Sequence, residues 1–512
     1  MLIKKYSHAF VVSDFLRHSR EAIKAFNKRN LKFDRVKDDF GQYKWTVVGS
    51  FSHTATDYSF YIFHINQLQD FLQHLEFTGI TETITTVTEP LYEGRKVEIP
   101  ILPSVALYDE QKPIAEYLIS PGQMKLAEVQ TGRGKTLVTL HTLSKLGVVS
   151  MLIMRNSFGK KWLNEDIPKT LDISKDEYIM LESSNDFKSL LEQAISGHQP
   201  YKVIIVSNGL IRAMLDEAMA TNGNMVTYPC HTRDILKTLG VGVLVRDEAH
   251  LELELICNMD LFLHVNKTIN LSATLQNKQP LIQRVYKMLY PPTERYVGNI
   301  TKYIAYVDLL YSLEHPRVIN YKSWDKGDYS HVLFEQSIMK KPTVLKGYLT
   351  MIDRVKTSNF FNKADRHPLE KALVFCRTTD MCAKVANYLA EKHPDFNIKR
   401  YTPSDKKGTC TYDEVLLSDL TVTTIKAFGV SFTLPGLSEV LNTDNVDSPN
   451  DNLQASGRCR ELKGELAHVT PRYSQLVCED IPKHLTYAKN RKDLFRPYAL
   501  TQQVFHLRYT LR

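Results

Sequence analysis

Between residues 123 and 275, short apolar runs alternate with stretches whose apolar residues recur every three or four positions. The runs at 148–154, 202–207, 242–246 and 268–271 are apolar at consecutive positions, the pattern of strands covered on both faces. Their alternation with helical spacing predicts a doubly wound parallel sheet. The rhythm resumes near residue 346. Strands are expected at 371–376, 417–423 and 438–441, with helical spacing over 381–391. Residues 1–100 lack this rhythm. Helical spacing over 14–27 (Phe15, Leu16, Ile23, Phe26) and strand-like runs at 43–51 and 58–65 predict a small α+β domain. The expected organisation is α/β. An accessory domain spans 1–100, a first lobe 101–280, and a connector with an aromatic-basic loop 281–345. A second lobe follows at 346–475, then a short basic tail at 476–512.

Parallel sheets bind ligands beyond the C-terminal ends of their strands. The polar residues that follow the predicted strands are Arg155 and Asn156, Ser207 and Asn208, Asp247 and Glu248, then Ser272 and Thr274. All are expected at one edge. Residues 127–137, AEVQTGRGKTL, supply a phosphate-binding loop. Gly132 and Gly134 let backbone N–H groups turn toward phosphate oxygens, and the helix that follows presents its positive end. Lys135 can reach the β- and γ-phosphates, and the Thr136 hydroxyl can ligate Mg²⁺. Residues 241–250, VGVLVRDEAH, place two carboxylates at a buried strand end. Asp247 there suits Mg²⁺ held through water, and Glu248 suits orientation and deprotonation of an attacking water. Gln111, ahead of an amphipathic helix, suits either the adenine edge or an ordinary helix start. In 454–460, QASGRCR, a pair of arginines beside a glycine suits contact with a γ-phosphate.

Charge adds a second theme. The net charge is +8, yet residues 1–50 and 481–512 each carry +6, so the middle of the chain is slightly acidic. Basic ends suit polyanion contacts or plain solubility. Residues 315–329 interleave Arg317, Lys322 and Lys326 with Tyr321, Trp324 and Tyr329. That pattern fits base stacking with phosphate contact, or a loop anchored by its aromatics. No apolar run has the length of a membrane span, and the N-terminus has no signal-peptide core. Seven scattered cysteines match neither a zinc pattern nor a disulfide framework, so reduced thiols and a cytoplasmic location are expected.

The order TGRGKT, DEAH, SAT, a second strand–helix lobe, GVS and QxxGR resembles the superfamily-two helicases and translocases over residues 105–475. The layout looks most like the phage UvsW-type branch-migration helicases. The resemblance implies two tandem RecA-like lobes, ATP with Mg²⁺, and a viral protein in a bacterial host. It implies Gln111 at adenine, and Gly132, Gly134, Lys135 and Thr136 at phosphates and magnesium. Asp247 and Glu248 would handle magnesium and water. Ser272 and Thr274 would couple hydrolysis to lobe movement. Arg155, Ser207, Asn208, Arg377 and Thr423 would touch the tracking strand's phosphates. Gly429 and Ser431 would lie between nucleotide and nucleic acid, and Gln454, Arg458 and Arg460 would complete the ATP site. Two departures stand out. Val129 occupies a position that is Gly or Ala in the family, and Arg460 follows Arg458 by two positions instead of three. The finger role therefore stays open between these two arginines.

The implied function is an ATP-dependent DNA helicase or translocase on forked, branched or single-stranded DNA, in replication, recombination or repair. Replication or recombination proteins are the implied partners, and no membrane is involved. The residues do not separate DNA from RNA. The alternative is an ATP-switched origin- or junction-binding protein. A motor subunit of a restriction-modification complex is a third possibility.

Overall fold

The computed structural model describes residues 1–37, 42–130, 132–272, 275, 279–323, 328–402, 410–428 and 434–512. The chain forms two compact units, Met1–Asn299 and Ile300–Arg512.

The first unit is built on seven strands in the spatial order Tyr178–Leu181, Val203–Ser207, Ser150–Met154, Val243–Arg246, Lys267–Ser272, Met124–Glu128 and Arg295–Val297. Every neighbouring pair is parallel. The four strands expected from apolar runs are all present, and their interiors are fully buried, as a sheet with helices on both faces requires. Met124–Glu128, which leads into the phosphate loop, has no clean apolar run. Its Lys125 is buried all the same, with Nζ over the Tyr117 ring at 4.7 Å and 3.9 Å from Glu294. A lysine tucked against an aromatic face hides the strand from a hydrophobicity reading.

The N-terminal residues form a mixed sheet ordered His53–Thr54, Phe60–His64, Ala9–Ser13, Leu2–Lys5 and Thr85–Thr88. Helices Ser19–Lys28 and Leu68–Phe77 close a small core of Phe10, Phe26, Phe63 and Phe71. Ala9, Phe51 and Ile62 belong instead to the core of the large sheet. This region is therefore packed into the first unit. Beneath the contact lies a buried ion pair, with Arg246 Nη2 donating to Asp260 Oδ1 at 2.6 Å. Burial works against the Asp260 charge, but Arg246 and then His64 outweigh it and hold the carboxyl far below the usual range. His64 Nε2 stands 3.6 Å from Asp260 Oδ2, so the N-terminal sheet contributes to the same network.

The second unit has seven parallel strands in the order Ile398–Tyr401, Leu420–Thr424, Lys371–Cys376, Leu437–Asn442, Arg472–Cys478, Ile304–Leu313 and Ala499–Leu511. The stretch 281–345 contributes Arg295–Val297 to the first sheet and Ile304–Leu313 to the second, the latter where residues 303–309 read as a strand returning toward the core. The basic residues 476–512 form helix Pro482–Phe495 and the edge strand Ala499–Leu511. That strand lies at the sheet edge, is exposed over most of its length, and alternates apolar and polar residues only in its last seven positions, 505–511. All seven cysteines are free, and among the described residues no helix is long and apolar enough to cross a membrane.

Two tests address this packing. Arg246→Ala leaves the Asp260 carboxylate buried without its guanidinium partner and with only His64 nearby, so it is expected to lower unfolding stability by about 3–5 kcal/mol in chemical denaturation. Burial also pushes the His8 imidazole down to about 4. Between the ordinary value near 6.5 and about 4, the unfolded chain binds a proton there that the folded chain does not. Stability should therefore fall as pH drops from 7 to 5, and fall less in His8→Asn. Equal losses in the two proteins would contradict this assignment.

Candidate nucleotide and nucleic-acid site

The phosphate loop runs from the end of strand Met124–Glu128 to helix Lys135–Leu146. Gly132 and Gly134 have φ of +86° and +77°, and Gly134 is the helix N-cap. A side chain at Gly134 is barred twice over. The backbone is left-handed, and a Cβ there would stand 2.1 Å from Gln111 Nε2. Gln111 is buried at the start of helix Lys112–Ile119. Its Oε1 accepts from Tyr108 N–H at 3.0 Å, and its Nε2 donates to the Arg133 carbonyl at 3.1 Å. Both ends of the amide hold the loop in place. Val129 is buried, and its N–H donates to the Ser272 carbonyl at 2.9 Å, which extends the sheet one residue past the strand. A valine fits there because its side chain packs inward. Thr136 is half-buried on the first turn of the helix.

The acidic pair emerges two strands away. Lys135 Nζ stands 3.3 Å from Glu248 Oε1, so the loop lysine and the candidate base share one corner. Glu248 has φ of +51°, a left-handed conformation costing a non-glycine residue about 1–2 kcal/mol. Asp247 Oδ1 accepts from Glu248 N–H at 2.9 Å. Burial first, and then the charge of Glu248, pushes the Asp247 carboxyl up to about 6. A divalent cation would relieve both causes, so the pair fits Mg²⁺ with the Thr136 hydroxyl as a further donor.

A residue without an expected role joins this corner to the neighbouring strand. His250 Nδ1 lies 3.4 Å from Glu248 Oε2 and 3.0 Å from Ser272 Oγ. Burial lowers its imidazole to about 4, so it is neutral near pH 7; protonated at Nδ1 it donates toward both oxygens, which converge on that one nitrogen. Ser272 thus connects to Glu248 through His250. The sequence signal was the final letter of DEAH itself. Thr274, Gly429 and Ser431, expected to couple or bridge, lie outside the described residues.

The expected strand-contact residues divide. Arg155 is exposed at the N-cap of helix Asn156–Lys161, 3.8 Å from Glu252. Ser207 spends its hydroxyl on the N–H of Leu210 as a helix cap, beside half-buried Asn208. In the second unit, Arg377 N–H donates to Glu335 at 2.8 Å, and its guanidinium donates to Asp444 at 3.2 Å. Glu335 is fully buried and also accepts from Thr378 N–H and Oγ1, at 2.7 Å each. It fixes the turn that carries Arg377. No sequence signal marked it, since it sits within an apolar helix face. Thr423 does not reach the surface. It is fully buried, with its hydroxyl on the Tyr401 carbonyl at 2.5 Å, because it lies inside the strand rather than beyond its end. Tyr329 is likewise an anchor, its hydroxyl engaged by His331 and His484. Trp324 and Lys326 lie outside the described residues.

Helix Pro449–Ser456 carries half-buried Gln454, and Arg458 and Arg460 follow it. Arg458 is buried. Burial also lowers the Arg460 guanidinium from its ordinary value.

No family model matches the chain, and no curated protein matches its sequence. Among solved structures it is similar to the ATP-dependent Type ISP restriction-modification enzyme LlaBIII bound to DNA. The TM-score is 0.52 at 13% identity, over 79% of this chain and 32% of that one. It is also similar to Mss116p bound to single-stranded RNA and AMP-PNP, with TM-score 0.49, 15% identity, and 78% and 74% of the two chains covered. For S. cerevisiae Dbp5 bound to RNA and ADP BeF3 the TM-score is 0.49 at 12% identity, over 77% and 89%. Two parallel seven-stranded sheets in tandem are two RecA-like lobes. The chain has a fold of two RecA-like lobes in tandem.

In this fold, the loop, the acidic pair and Ser272 occupy one edge of the first lobe. Its integrity hangs on the contact between Gly134 and Gln111. Gly134→Ala is expected to weaken binding of a fluorescent ATP analogue by at least about tenfold. Adding Gln111→Ala should recover only part of the loss, because the strained φ remains. Wild-type affinity in Gly134→Ala would show that the loop does not carry the nucleotide.

Proposed function

We propose that this chain is an ATP hydrolase that moves along nucleic acid. Its track is DNA, in forked, branched or single-stranded form, during replication, recombination or repair. The observation that carries the hydrolase reading is the 3.3 Å approach of Lys135 to Glu248. It brings a phosphate-binding lysine and a carboxylate base to one corner beside a helix N-terminus. The DNA preference rests on the UvsW-type layout of basic N-terminal residues ahead of two lobes.

Backbone N–H groups at Gly132 and Gly134 take phosphate oxygens, and Lys135 adds its charge. Lys135 is shared, so phosphates draw it away from Glu248. The carboxylate released in this way orients the attacking water and accepts its proton. Thr136 and Asp247 would hold Mg²⁺, which neutralises the developing phosphate charge. The His250–Ser272 contact carries the change at Glu248 into the neighbouring strand. Gln454 and Arg458 are the proposed contributions of the second lobe, with Arg460 as the other candidate finger. Arg155, Asn208 and Arg377 are the proposed phosphate contacts on the track. Such contacts carry no sequence information, so movement is independent of sequence.

Two variants test the chemistry. Lys135→Ala is expected to abolish ATP binding. Glu248→Gln should bind ATP as tightly as wild type while turnover falls by about a hundredfold or more. Wild-type turnover in Glu248→Gln would overturn the base assignment, and tight binding in Lys135→Ala would overturn the phosphate site.

A further inference from the structure

Strands Leu31–Lys37 and Tyr43–Ser50 form an antiparallel ribbon that, among the described residues, pairs with no other strand. Its foot is closed by the Phe51 N–H donating to the Asn30 carbonyl at 2.9 Å. Above that foot the ribbon is exposed on both faces. An isolated two-stranded ribbon is marginal in water, and apolar side chains on it gain nothing from the core.

The pairing register sorts the side chains sharply. Phe33 stands opposite Val47 and Arg35 opposite Trp45, with Tyr43 further along the same face. The Arg35 guanidinium lies 5.9 Å from the centres of both the Tyr43 and Trp45 rings. The other face carries Asp34 opposite Thr46 and Val36 opposite Lys44. The first face therefore holds three aromatic rings and a cation, while the acid of strand Leu31–Lys37 points away. Trp45 is 68% exposed, the most of the three rings.

A second observation lies at the foot. Arg29, Arg284 and Lys287 line a cavity of about 510 Å³ together with Asn30, the residue before the ribbon. The Asn30 side chain is buried; its Oδ1 accepts from Gln67 Nε2 at 2.7 Å, and its Nδ2 has no partner among the described residues. Three cations outnumber the one acid of the lining, Asp70, and with the Asn30 amide donor they suit an anion, while the ribbon adds rings beyond them. An apolar protein surface would cover the rings but strand the arginine between them. A closed duplex would take the cations, yet it offers no base faces to the rings. Unpaired nucleotides satisfy both, since every base has a stacking face and every linkage a phosphate.

We propose that this ribbon face binds an unpaired nucleic-acid strand. Bases stack on Trp45, Tyr43 and Phe33, and phosphates meet Arg35 and the cations at the foot. The proposal rests on the reading of the chain as a nucleic-acid motor, but its test needs no ATP. The full chain is titrated without nucleotide against a thymidine oligomer of about twenty nucleotides and against a blunt duplex of equal length. Tryptophan emission should be quenched by the oligomer, and the quench should disappear in Trp45→Phe. Trp45→Ala should weaken oligomer binding about tenfold, with duplex affinity and thermal midpoint unchanged. Tyr43→Ala should act in the same direction. Unchanged oligomer affinity in both alanine variants overturns the proposal, as does an equal loss on the duplex. If Trp45→Ala loses the oligomer while the wild type hydrolyses no ATP, the ribbon site stands and the motor reading falls.

Discussion

Parallel pairing is the constraint on which the molecule depends. A parallel ladder sends each strand end to the same edge, and a doubly wound sheet covers both faces with helices. In the first unit, that edge collects the loop after Met124–Glu128, the acids after Val243–Arg246 and Ser272. Lys135 and Glu248 are 113 residues apart in the chain, yet their charged atoms stand 3.3 Å apart. Hydrophobic burial in the strands fixes this meeting, and the polar corner itself adds little to stability.

That corner is costly to hold. Glu248 sits in a left-handed conformation, and two carboxylates share a buried site with one lysine. What restrains it lies one residue upstream. Arg246 turns back beneath the sheet to Asp260, and His64 of the N-terminal sheet approaches the same carboxylate. The N-terminal region thus buttresses the strand that carries the acidic pair, whatever else its surface binds. A buried ion pair is weak evidence for net stability, but once present it cannot lose a partner cheaply.

Much of this was legible in the sequence. Consecutive apolar runs marked the central strands because both faces of a parallel sheet are dry. The loop and the acidic pair were legible because glycines, a lysine and carboxylates at strand ends have few other uses in this spacing. Other features left no signature. Met124–Glu128 carries a buried lysine that breaks its apolar run. Ala499–Leu511 looks like a polar tail because an edge strand needs only part of a dry face. Thr423 ends the expected strand 417–423 but lies inside Leu420–Thr424, where burial keeps its hydroxyl from the contact the resemblance implied. Glu335 and His250 depend on contacts made across the fold, which no local spacing encodes. The ribbon's sorted face appears only once the register between its two strands is known.

The most direct measurement is steady-state ATP turnover by the whole chain, alone and with single-stranded, duplex, forked and four-way DNA and with RNA. A motor on branched DNA should turn over slowly alone, speed up strongly with DNA, and respond most to forked and four-way forms. Turnover that stays low on every polymer would contradict a motor and point to ATP as a switch for binding.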